Sequence, residues 1–126
     1  VSLTPGQVQQ RLFDVHQELG AAARAVADAR NAEVHAIEAL TMAKARAILS
    51  EECPRPKRGE NGVTVADRDA WVDQATSDER FDAAVKEQVR KAAEDRLRVV
   101  RDQASVVQSL SALMRAEMSL GAGVGA

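Results

Sequence analysis

The feature that most constrains this chain is a line of apolar and small residues along its C-terminal third. Phe81, Val85, Val89, Ala93, Leu97, Val100, Ala104, Val107, Leu110 or Ser111, Met114 and Met118 follow one another in steps of four and three. That stepping places them on one face of an α-helix more than ten turns long, the spacing of a coiled-coil seam. A matching line runs through Val8, Leu12, Val15, Leu19, Ala22, Val26 and Ala29. It then slips and resumes at Val34, Ile37, Leu40 or Thr41, and Ile48. The eleven residues from Val26 to Ile37 suit a local straightening of the supercoil, as a stutter produces. Two long helices are therefore expected.

Their ends are marked. Thr4-Pro5 sets a hydroxyl cap before a proline at the first helical position, where the missing N–H costs nothing. Pro54 and Pro56 stop the first helix after about Ser50, giving it a length of ~70 Å through Gly20. Gly59, Asn61 and Gly62 supply turn formers over residues 51 to 63. Thr64 caps a short helix near 65–75 that carries Trp71 and Val72. Thr76 or Ser77 caps the last helix, near 77–120, with Thr76 and Glu79 at capping-box spacing. The glycine-rich segment 121–126 reads as a flexible tail. The expectation is an all-α fold: one domain over 1–120, a long antiparallel helical hairpin with a short connecting helix.

Composition says how such a hairpin can pack. Of 126 residues 24 are alanine, and Phe13, Phe81 and Trp71 are the only aromatics. Too few large side chains exist for an ordinary globular core, whereas alanine favours helix and lets helices approach. Val99, Val106 and Leu113 lie beside the main line rather than on it. One partner helix cannot cover both, so assembly into a homo-oligomer is expected.

Enzyme chemistry finds no foothold. His16 and His35 stand nineteen residues apart on one helix, too far along its axis to share a metal. No Glu-x-x-His pair, metal-ligand spacing, phosphate loop or nucleophile elbow occurs, so neither a catalytic centre nor a cofactor is expected. The single cysteine, Cys53, reads as an incidental loop thiol and suits a reducing cytoplasm. No run of 18 apolar residues calls for a membrane span, and "VSLTPGQ" has no secretion-signal character.

Charge remains. The formal net charge is −2, which excludes a uniformly basic surface and requires any polyanion contact to be local. Lys86, Arg90, Lys91, Arg98 and Arg101 form an arc on the last helix, but Glu87 and Glu94 sit at pairing distance from Lys91 and Arg98. A salt-bridged, solvated face is the expectation for that arc. Lys44 and Arg46 near the end of the first helix, with Arg55, Lys57 and Arg58 in the loop, have only Glu51, Glu52 and Glu60 nearby. These five cations can form one patch at one end of the hairpin; the alternative is a solvated turn. Residues two apart on a helix point to nearly opposite sides, so Lys44 and Arg46 would meet different neighbours in an oligomer. Repetition around a ring would then strengthen a weak local patch.

Ala43-Lys44-Ala45-Arg46-Ala47 resembles the Lys-Ala-Arg core of the UvsY-type recombination mediators of tailed phages. In that family a helix bearing Leu-Lys-Ala-Arg-Leu-Asp-Tyr precedes a Gly/Arg-rich turn. The order here is similar: long helix, Lys-Ala-Arg near its end, "RGENG" loop, short "DRDAW" helix, long helix. Ile48 and Leu49 stand where the family has aspartate and tyrosine, and the chain has no tyrosine. The resemblance implies a small homo-oligomer in the cytoplasm (the host's, if phage-encoded) that binds single-stranded DNA. It further implies contact with a single-strand-binding protein and loading of a RecA-like recombinase. Only Lys44 and Arg46 match the family's DNA-contacting pair. A second reading, of another class, is a helical scaffold such as a phage morphogenesis chaperone or partner-binding inhibitor without nucleic-acid affinity. A secreted WxG-type hairpin is a third, but Trp71-Val72-Asp73 lacks the glycine.

Overall fold

The computed structural model describes residues 3–59 and 62–124, with side chains as far as residue 121 outside that gap. It contains three α-helices, α1 (Pro5–Leu49), α2 (Val65–Ala75) and α3 (Ser77–Val124), and no strand among the described residues. Asn61 and Glu60, read above as a turn former and an acidic neighbour, lie outside them, as do Gly125 and Ala126.

The cap signals act largely as expected. The Thr4 hydroxyl accepts the Gln7 N–H at 3.2 Å while the Gln7 side-chain oxygen accepts the Thr4 N–H at 2.9 Å, so two orphan donors of α1 are satisfied reciprocally. Thr64 and Asp67 do the same for α2, at 3.1 and 3.0 Å. Thr76 behaves differently. Its hydroxyl is buried and donates to the Val72 carbonyl at 2.8 Å, so it closes α2 instead of forming a capping box with Glu79. The Thr76 N–H also donates to Val72, and its carbonyl accepts from Arg80 at 3.0 Å. A single residue thus separates α2 from α3. The expected break is a one-residue bend.

Asp67 gives a pH-dependent result. The Thr64 backbone N–H and hydroxyl hold its carboxyl below the ordinary carboxylate range. A depressed folded pKa contributes stability above the unfolded value that is lost as pH falls through the folded one. The first turn of α2 should therefore lose stability as pH falls through the Asp67 titration. Thr64→Ala, which removes the hydroxyl but keeps the backbone N–H, should raise that titration only part of the way to the ordinary range. Carboxyl and amide chemical shifts followed through an acid titration check both.

Contacts group the chain into two compact units, one formed by Val1–Ala27 with Ala92–Ala126, the other by Asp28–Lys91. In the first, the N-terminal half of α1 pairs with the C-terminal half of α3. Val8, Val15, Ala22 and Val26 of α1 and Val100, Ala104 and Val107 of α3 are buried. Val15, Ala104 and Val107 form one cluster, with Leu12 packed against it. The expected α1 line is found here from Val8 to Val26, and the α3 line from Ala93 to Val107, with Ser111 and Met114 half-buried beyond it. Leu110 and Met118, expected on that line, are exposed.

In the second unit the inward lines differ from the expectation. Ala29, Ala36 and Ala43 are buried in unbroken steps of seven, joined by Cys53, Val72 and Thr76. Val34, Ile37 and Ile48 are exposed, so the expected slip does not occur. On α3, Phe81, Val85 and Val89 are likewise exposed, while Ala83, Lys86, Glu87 and Arg90 are half-buried. Alanine fills the inward line because it suits a close helix contact, which a larger side chain would wedge apart. Arg90 donates to Glu33 at 2.7 Å, with both side chains less than a quarter exposed. A charged hydrogen bond therefore stands where the sequence suggested an apolar one.

The C-terminal tail is also corrected. α3 continues through Gly121 to Val124 instead of ending near Leu120. No proline stops it, and extending an existing helix costs only about 1 kcal/mol per glycine relative to alanine.

Candidate nucleic-acid interface

The five candidate cations all belong to the second unit. Lys44 is half-buried and Arg46 exposed, one turn from the end of α1. Arg55, Lys57 and Arg58 are exposed in the loop that follows. The helix closes with the Ser50 N–H donating to the Ala47 carbonyl, and a further turn is made by the Cys53 N–H to Ser50, both at 3.1 Å. Cys53 is then buried, its thiol directed to the Pro54 carbonyl at 3.6 Å. It lies in the loop, as expected, but is buried with the core of the unit and is not incidental there.

Two further contacts fix where the loop cations sit. The Lys57 N–H donates to the Val63 carbonyl at 3.0 Å, and the Gly62 N–H donates to the Gly59 carbonyl at 3.2 Å. Gly59 has a φ of 135°, a conformation that a side chain strains. At Gly62 a Cβ would lie 2.4 Å from the Lys57 carbonyl oxygen, so only glycine fits. The loop thus returns on itself at Lys57.

The electrostatics separate the two basic features of the sequence. On α3, Lys86 pairs with Asp82 at 3.9 Å, Lys91 with Glu87 at 3.1 Å and Arg98 with Asp95 at 3.2 Å. Arg98 thus uses Asp95 where the spacing pointed to Glu94. Arg90 is engaged with Glu33. Among the described residues, by contrast, none of Lys44, Arg46, Arg55, Lys57 and Arg58 has an ion pair. Residues 44 to 58 hold these five cations against two carboxylates, Glu51 and Glu52. An exposed charge with no internal partner keeps its full capacity for an external anion, whereas Lys86, Arg90, Lys91 and Arg98 would first have to give up a carboxylate. Arg101, the last residue of the arc, has no ion pair among the described residues.

Other chemistry-bearing residues do not converge. His16 and His35 are exposed, and His35 has Glu38 as its neighbour at 3.9 Å. Among the described residues no group of three or more His, Cys, Asp or Glu could hold a metal. No helix among them is long and apolar enough to cross a membrane. Comparison of the chain with family models, curated proteins and solved structures finds no match.

Proposed function

We propose that this is a non-enzymatic, polyanion-binding helical protein whose ligand is the phosphate backbone of single-stranded DNA. Within that class the reading is a recombination accessory protein, a mediator acting as a homo-oligomer through Lys/Arg–phosphate contacts. One observation carries it: the cations of residues 44 to 58 are without carboxylate partners among the described residues, while four of the five in the α3 arc, Lys86, Arg90, Lys91 and Arg98, are neutralised in place. The choice of single strands, and of a RecA-like recombinase and a single-strand-binding protein as partners, comes from the Lys-Ala-Arg resemblance. With so few aromatics for base stacking, affinity would come from phosphates and be indifferent to sequence.

Fluorescence anisotropy of labelled oligonucleotides tests this. Single strands of different sequence should bind with similar affinity, and duplex of the same length more weakly. A second reading, the scaffold or interaction protein, draws on the exposed Val34, Ile37, Phe81 and Val89. It predicts no binding to any of these oligonucleotides at moderate salt.

A further inference from the structure

We infer that the groove of the first unit, between the first turns of α1 and the middle of α3, is the surface on which a second copy of this chain docks. The groove has a volume of about 710 Å³ and is walled by Leu3, just before α1, with Gln7 and Arg11 of α1, and by Val99, Val106 and Leu110 from α3. These α3 residues belong to a second line, Val99, Val106, Leu110, Leu113 and Leu120, in steps of seven, four, three and seven. All five are exposed, Val106 to 60% and Leu120 to 71%. The neighbouring line, which includes Val100, Ala104 and Val107, is already buried by α1. A helix with two adjacent seams needs two helical partners. Within the unit the chain supplies one.

Charge points to a second copy. The two walls carry opposite charge. Arg11 projects from the α1 wall and Asp102 from the α3 wall, both exposed and neither ion-paired among the described residues. A two-fold axis running along the groove sets each copy's α1 wall against the other's α3 wall, so Arg11 faces the partner's Asp102. An axis across the groove would instead oppose like walls and like charges. Charge therefore selects the parallel, self-complementary arrangement.

This assignment rests on the self-association within the proposed function and is independent of DNA binding. Sedimentation equilibrium of the full chain from one to fifty micromolar tests it. Arg11→Glu and Asp102→Lys should each weaken self-association roughly tenfold, and together restore it to near the parent's. Val106→Asp, placing a charge in the seam, should weaken it roughly a hundredfold or more. Circular dichroism verifies that these exposed substitutions leave the helices intact. A monomeric parent at fifty micromolar would remove self-association altogether and leave the groove to a foreign helix. An oligomeric parent unaffected by Val106→Asp would overturn this surface while sparing the oligomer. Loss in the single charge variants without recovery in the double would overturn the parallel pairing.

Discussion

Replacing Lys44 and Arg46 together with alanine is expected to weaken binding to single-stranded DNA roughly a hundredfold, at about 1.5 kcal/mol per charged hydrogen bond to phosphate. Arg46 is exposed and Lys44 half-buried, and neither has an ion pair among the described residues. The substitution therefore removes external contacts without orphaning an internal carboxylate. Alanine is the best helix former and already flanks both positions, so helicity and oligomer mass should stay as in the parent. Removing Arg55, Lys57 and Arg58 should act in the same direction. Gly62→Ala separates geometry from charge. It keeps every cation but forces a Cβ to within 2.4 Å of the Lys57 carbonyl oxygen. The loop must shift, and affinity should fall several-fold with no change in net charge. Anisotropy titrations of these variants, beside circular dichroism, measure each effect.

The largest effect on stability is expected at Val15. This side chain is fully buried against Ala104 and Val107. Val15→Ala should cost about 2 kcal/mol through lost burial and the cavity left behind. Val15→Asp should cost more than about 4 kcal/mol, since an ionised carboxylate would be buried without a partner. Two residues away, Phe13 is 58% exposed, and Phe13→Ala should change stability by less than about 0.5 kcal/mol. Urea denaturation followed by circular dichroism distinguishes the three. Equal costs at positions 13 and 15 would mean that α1 presents a different face to α3.

That contrast shows how far the sequence could be read. Element ends were legible because Thr4, Pro5, Pro54 and Thr64 have definite local chemistry; α1 ends at Leu49, one residue from the expected Ser50. The buried face of the first unit was legible because its valines and leucines occupy the inward line. The second unit was not, because periodicity reports a line of apolar residues without saying which of two adjacent lines meets a partner. There the buried line is Ala29, Ala36 and Ala43, while the larger Val34, Ile37, Phe81 and Val89 point outward. The Arg90–Glu33 bond joins residues 57 apart in sequence, beyond any local signal. Neutralisation of Lys91 by Glu87 was readable from i,i+4 spacing. The burial of Cys53 was not, nor was the close approach at Gly62, which arises from how the loop turns back at Lys57.

The salt dependence of single-strand affinity tests the central claim most directly, because its slope counts the phosphates neutralised. Each contact contributes about −0.7 to the slope of log K against log salt concentration. The parent should show a steep slope, and Lys44→Ala, Arg46→Ala should flatten it by about 1.4, two contacts' worth. Parent and double variant with the same slope and the same affinity would contradict the phosphate-binding patch and leave the helical scaffold as the reading to pursue.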